Sequence, residues 1–288
     1  MKCVINRRAQ FSASHRYYLP ELSVAENTAK FGLGSLPSGH GHNYELFISL
    51  YGDIDDQGMV LNLSDVKHVI KSEVTAQLDA RLLNEAWPEF TETLPTTENI
   101  ARVIWQKLAP HFPLVRIELF EHPELFAEYL GNGMEAFLTV GTHFSAAHRL
   151  ALDHLTLAEN TEIYGKCARV NGHGHNYHLE VTVKGEVDAR TGMLVDLVAL
   201  HKLIDEKAVE PLDHTFLNKD IAHFAGTVPT AENIAVYIAQ LLDQPIRDLG
   251  AELHKIKLVE SPNNSCEILW SQDKSIEKDT AMPVLAAV

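Results

Sequence analysis

The stretch GHGHNYELFI (39–48) recurs as GHGHNYHLEV (172–181), so one chain carries the same histidine pair twice in the same frame. Working outward, FSASHR (11–16) answers FSAAHR (144–149), and His15 pairs with His148, His40 with His173 and His42 with His175, all at an offset of 133. One inserted residue then moves the offset to 134: GMVLN (58–62) answers GMLVD (192–196), LDARLLN (78–84) answers LDHTFLN (212–218), and PTTENIA (95–101) answers PTAENIA (229–235). Finally Glu121-His122-Pro123 answers Glu260-Ser261-Pro262, at 139. Matches that keep their order across two small shifts define a tandem duplication. The expected units are residues 1–131 and 132–270, with 271–288 read as a poorly ordered tail; a chain of 288 residues has room for two domains.

Each copy carries the same coarse pattern. A strand runs into FSASH or FSAAH, an irregular loop of roughly twenty-five residues follows, and NYELFISLYG (43–52) or NYHLEVTVKG (176–185) alternates like a half-buried strand. Helices are expected at 64–78, with Ser64 as N-cap, and at 97–109 and 231–242, each opened by Pro-Thr with a glutamate in its first turn. VRIELFE (115–121) and KIKLVE (255–260) close each unit as strands. The order ββααββ predicts an α+β fold, an antiparallel sheet with two helices on one face. Gly131-Asn132-Gly133, between the copies, is tight-turn chemistry rather than a flexible linker.

Composition narrows the function. The formal charge of −15 opposes nucleic acid and anionic membrane surfaces as partners. No apolar run has the length of a bilayer span, and the N-terminus lacks the apolar stretch of a secretory signal. Three scattered cysteines, Cys3, Cys167 and Cys266, are no disulfide framework and indicate a reducing, cytoplasmic address.

Chemistry concentrates on the histidines. Residues i and i+2 of a strand share a face, so His173 and His175 reach one ion together, with His148 at the end of the preceding strand as third ligand. Three imidazoles without a thiolate or carboxylate as fourth partner match a catalytic Zn2+ site with one open position. His15, His40 and His42 predict a second zinc in repeat 1. A lone His-x-His pair is more often an ordinary surface or core feature; its recurrence as a triad with its framing residues argues otherwise. Cys167, close in sequence to two ligands, is a candidate thiolate base or nucleophile. Asp213-His214 is a candidate proton-transfer pair, although alone it reads more readily as a helix-end cation beside an acid. Repeat 1 has Gly34 for Cys167, Ala80 for His214, and Leu33 and Leu36 for Lys166 and Arg169, while it keeps its triad and Asp79. Joint absence of four groups points to one reaction, carried by repeat 2.

In order, FSAAH, C-x5-HGHNY, LDH, PTAEN and a late VE resemble the 6-pyruvoyl-tetrahydropterin synthase family, which includes the 6-carboxy-tetrahydropterin synthases; the likeness covers nearly all of repeat 2 and, weakened, most of repeat 1. The resemblance implies a tunnelling fold whose units assemble into a barrel of strands. It implies a zinc-dependent lyase acting on 7,8-dihydroneopterin triphosphate, with zinc on His148, His173 and His175, and Cys167, Asp213 and His214 moving protons. It also implies Glu260 as anchor of the pterin ring with Thr230 beside it, and a pterin-like pocket at Glu121 in repeat 1. Lys166, Arg169 and Arg149 are the local cations for a triphosphate. A homo-oligomer follows, as three chains in a pseudo-hexamer or as a dimer, with repeat 2 units brought together so that Cys167 meets a neighbour's His214. Both a pyruvoyl and a carboxy product fit, the latter serving queuosine synthesis; the spacing from Cys167 to His173 is that of the pyruvoyl type. The competing expectations are a non-catalytic zinc-binding assembly protein and another tunnelling-fold enzyme such as a GTP cyclohydrolase.

Overall fold

The computed structural model describes residues 1–270; the expected tail at 271–288 lies outside the described residues. Each copy starts with a long antiparallel pair. β1 (Lys2–His15) and β2 (His40–Asp53) run together over their full lengths, from Lys2 opposite Asp53 to His15 opposite His40. β3 (Leu114–His122) and β4 (Leu125–Tyr129) complete the first unit. β5 (Glu135–His148) and β6 (His173–Glu186) reproduce the long pair, with His148 opposite His173. A two-strand-residue segment, β7 (Thr215–Phe216), lies parallel beside β5, and β8 (Glu252–Ser261) and β9 (Asn264–Leu269) close the second unit.

All these strands form one sheet in the order β1-β2-β3-β4-β5-β6-β8-β9. The two repeats are fused edge to edge by the β4–β5 pairing, from Leu125 opposite Val140 to Glu128 opposite Phe137. The path is open, with β1 and β9 as its free edges. Two long helices, Thr97–Leu108 and Ala231–Asp248, start at Thr96 and Thr230, whose hydroxyls accept from the amides of Asn99 and Asn233. Their stripes, Ile100, Ile104 and Leu108 in one and Ile234, Ile238 and Leu242 in the other, are wholly buried. Each such side chain stabilises the fold by roughly 1.5–3 kcal/mol. A large apolar cluster runs through both repeats, and a smaller one joins Tyr17, Leu19, Phe31 and Leu94 to Met193. Among the described residues no helix is long and apolar enough to cross a membrane.

Three local expectations change. The loop after the first strand of each unit contains a two-turn helix, Val24–Phe31 or Leu157–Tyr164, started by the capping boxes Ser23/Glu26 and Thr156/Glu159. The helix expected at 64–78 spans Leu63–Ile70 and continues through a widened turn, Lys71–Thr75, to Ala76–Leu78. Its N-cap is Asn62 rather than Ser64, because the Asn62 side chain accepts from the Ser64 amide. The third helix of repeat 2 runs on past residue 242 and through Pro245 to Asp248.

At the junction Gly131 and Gly133 both have positive φ, 82° and 62°. A Cβ on Gly131 would lie 2.3 Å from Trp105 Cζ2, whereas one on Gly133 would meet nothing within 4 Å. Gly131→Ala is therefore expected to cost about 2–3 kcal/mol and Gly133→Ala about 1 kcal/mol, read as shifted denaturant midpoints. Equal midpoints for the two variants would contradict the packing argument.

Candidate metal and catalytic site

Strand register builds both histidine clusters. His148 faces His173 across the β5–β6 pair, and His175 follows on the same face, so the three rings meet at one end of the long strands. Gly172 makes the entry turn at φ 64°, and a Cβ there would fall 2.5 Å from the His148 carbonyl oxygen. His148 Nδ1 donates to the Pro229 carbonyl oxygen at 2.8 Å, which leaves its Nε2 as a lone pair 3.1 Å from His173 Nε2. Facing nitrogens at that distance share a proton or a cation. His175 Nε2 is buried with no hydrogen-bond partner. Burial lowers the pKa of both His148 and His173, so their neutral, ligating forms are favoured. Neutral imidazoles converging on one point fit a borderline dication such as zinc.

Repeat 1 reproduces this arrangement and adds a carboxylate. His15 Nδ1 donates to the Pro95 carbonyl oxygen at 3.0 Å, and His15 Nε2 lies 3.0 Å from His40 Nε2. Burial pulls the His15 pKa down to about 4. Glu121 Oε1 lies 3.1 Å from His42 Nε2 and 3.7 Å from His15 Nε2. His42 Nε2 has no partner in hydrogen-bond geometry. Two groups that close without an aligned hydrogen bond are disposed as ligands around a common point. Burial pushes the Glu121 carboxyl up, but His42, His15 and the Thr97 hydroxyl outweigh it and hold it at about 2. One ligand atom from each of His15, His40, His42 and Glu121 lies within 4.8 Å of all the others; in repeat 2 only His148, His173 and His175 do so. Glu260 Oε1 lies 3.6 Å from both His148 Nε2 and His175 Nε2, as near the first as Glu121 is to His15 but farther from the second than Glu121 is from His42.

The other expected site residues are dispersed. Cys167 sits in a single helical turn, Gly165–Ala168, half-buried, and its carbonyl oxygen accepts from the Leu150 amide next to the triad strand. Its thiol makes no hydrogen bond to Asp213 or His214. Asp213 Oδ1 accepts from the Ser145 amide at 2.8 Å, and Oδ2 accepts from His214 Nδ1 at 2.7 Å. His214 holds a left-handed φ of 57° and is 83% exposed. It lines a shallow cleft with Ser145, Ala146, Ala147, Gly174, His175 and Asn176, so one residue of the triad borders the same cleft. Thr230 spends its hydroxyl on the helix N-terminus. Lys166 and Arg169 are exposed on the Cys167 turn, and Arg149 Nε donates to the Ala168 carbonyl oxygen.

Two participants escaped the sequence reading. Thr97 Oγ1 donates to Glu121 Oε2 at 2.6 Å, and its signal was the Thr97-to-Ala231 difference between PTTENIA and PTAENIA. Tyr17, which answers Leu150, packs edge-on against His15 with ring centroids 4.8 Å apart.

Fold and site define the class: a tandem α+β protein with a histidine cluster at the end of each long strand pair. The chain belongs to the 6-pyruvoyl tetrahydropterin synthase family, whose model matches residues 4–132 and 137–269. It is 44% identical over 134 residues to 6-pyruvoyl tetrahydrobiopterin synthase of Homo sapiens, covering 46% of this chain and 91% of that one. The Drosophila melanogaster protein of the same name is 43% identical over 129 residues, 45% of this chain and 76% of that one. A putative 6-carboxy-5,6,7,8-tetrahydropterin synthase of Archaeoglobus fulgidus is 31% identical over 134 residues, 46% of this chain and 96% of that one. Among solved structures, 6-pyruvoyl tetrahydropterin synthase of Caenorhabditis elegans aligns with 48% of this chain and 98% of its own, at 38% identity and a TM-score of 0.46.

The Asp213 carboxyl is held below its ordinary pKa first by the Ser145 amide and then by His214. A depressed acid stabilises the fold above its ordinary pKa and loses that contribution as pH falls through the folded value. His214→Ala should raise the Asp213 pKa yet leave it below the ordinary value, because the amide bond remains. A carboxyl NMR titration checks this, and complete relaxation to the ordinary value would contradict it.

Proposed function

We propose that repeat 2 is a tetrahydropterin synthase acting on 7,8-dihydroneopterin triphosphate, with His148, His173 and His175 holding a zinc ion. Bound there, the ion would supply Lewis-acid polarisation of oxygens on the substrate side chain. The remaining work falls to the chain's own groups. Glu260, not committed to a hydroxyl partner, has oxygens free to accept the paired N–H donors of an aminopyrimidine edge. Cys167 takes a side-chain proton as thiolate. His214 donates Nδ1–H to Asp213, so its Nε2 is left to exchange a proton during the redox tautomerisation. Lys166, Arg169 and Arg149 receive the triphosphate. The observation that carries this reading is the pairing of losses and retentions: only the repeat that keeps Cys167 also keeps His214.

Higher identity to the 6-pyruvoyl relatives, 44% against 31% for the 6-carboxy relative, favours triphosphate elimination to a pyruvoyl product. Asp213 bonds the Ser145 amide and His214 rather than Cys167, and the proposed site is completed across units of a homo-oligomer. Open β1 and β9 edges supply one contact, β1 of one chain pairing β9 of the next. Since both repeats share a sheet, whole chains add strands in eights, and two chains make the smallest closed ring. Pairing along that ring alternates repeat 2 with repeat 1, which leaves contact between repeat 2 units to the stacking of rings. The reducing interior of a cell suits its three free, half-buried cysteines.

Incubation with 7,8-dihydroneopterin triphosphate should yield 6-pyruvoyl-tetrahydropterin by mass spectrometry, while GTP is left unchanged. Cys167→Ala should cut turnover at least about 100-fold with metal content retained. Turnover of GTP, or a fully active Cys167→Ala protein, would overturn the assignment.

A further inference from the structure

We infer that repeat 1 is a closed, four-ligand metal site in which Glu121 joins His15, His40 and His42, so that it serves structure and admits no pterin. This inference rests on the reading that the matching triad of repeat 2 binds a dication. The two copies differ in residue at three linked positions and in the placement of one shared glutamate, and each difference acts in the same direction.

The first pair concerns the carboxylate. Thr97 Oγ1 holds Glu121 Oε2 at 2.6 Å and turns Oε1 toward the histidines, 3.1 Å from His42 Nε2. Ala231 occupies the Thr97 position in repeat 2 and has no hydroxyl, and there Glu260 Oε1 stays 3.6 Å from its two nearest imidazole nitrogens. Glu121 is 5% exposed and Glu260 17%. A carboxylate with one oxygen on a threonine and the other among three ring nitrogens has no free edge for an aminopyrimidine. The same set, three nitrogens and one oxygen, fills a tetrahedral dication.

The second pair concerns the space around the rings. Tyr17 lies over His15, where repeat 2 has Leu150. A Cβ on Gly34, the counterpart of Cys167, would sit 2.9 Å from Tyr17 Cδ2. The tyrosine therefore occupies the room that a cysteine would need, and glycine answers it. Repeat 2 itself supplies the lid. Tyr17 clusters with Leu94 and Met193, the Thr96 hydroxyl donates to the Gly192 carbonyl oxygen, and Glu98 accepts from the Leu194 amide at 3.1 Å. The cover reaches His15 and Glu121, 0% and 5% exposed, while His42 stays 18% exposed. Closed ligation marks a structural site, whereas an open position marks a catalytic one.

Chelation of the purified full-length protein tests the inference. After loading with Zn2+, two equivalents should be present. Excess EDTA should remove one quickly and the other at least about tenfold more slowly. His148→Ala should abolish only the fast equivalent. Glu121→Gln, which keeps the side-chain shape, should speed the slow equivalent to the rate of the fast one and lower the melting temperature. Thr97→Ala should give an intermediate rate, restored by Thr97→Ser. If Glu121→Gln and Thr97→Ala both release zinc at the wild-type slow rate, Glu121 is no ligand and the proposal fails. Failure of the reading for repeat 2 looks different: the slow equivalent is present and responds to Glu121→Gln, but no fast equivalent exists to be lost in His148→Ala.

Discussion

Everything distinctive in this molecule depends on the register of two long hairpin-like pairs, β1 with β2 and β5 with β6. Fourteen residues of each strand are matched without a slip, which brings His15 opposite His40 and His148 opposite His173 at the far end. A shift of one residue would move every side chain of the strand to the other face and scatter both clusters. The buried face holds that register. Tyr44, Leu46 and Ile48, with Tyr177, Leu179 and Val181, are wholly buried and penalise any slip with the loss of a core. The polar ends are thus positioned by apolar packing many residues away.

Duplication placed two such ends in one sheet, and the seam between β4 and β5 made them unequal. Repeat 1 has repeat 2 packed across its site, through residues 192–194 and the Arg190 to Glu21 ion pair. Repeat 2 has no counterpart unit within the chain, and its Glu232 remains exposed where Glu98 of repeat 1 is buried. Burial, with the Glu121 charge as a smaller contribution, raises the Glu98 pKa to about 7. Divergence then followed surroundings: the enclosed copy filled its cavity with Tyr17, and the open copy kept a thiol.

Much of this was legible beforehand. The repeat, the α+β order, the turn at Gly131 to Gly133 and both triads follow from spacing and residue type. The helices inside the first loops were missed although Ser23-x-x-Glu26 and Thr156-x-x-Glu159 are complete capping boxes, because two turns of helix give too short an apolar period to register. Ser64 fits the cap by residue type, but Asn62, an equally good cap residue two positions earlier, takes the place because the chain direction at the helix start brings its side chain to the Ser64 amide.

The sequence by itself determined which groups exist and which copy carries Cys167 and His214, since identity and spacing are written in the chain. The tertiary structure alone decided how they combine: Glu121 lies 3.1 Å from His42 where Glu260 lies 3.6 Å from His175, and Asp213 orients His214 at the edge of a cleft that His175 also lines. Those choices depend on contacts between residues distant in sequence, a threonine hydroxyl, a tyrosine ring and a neighbouring repeat, whose positions no local pattern encodes.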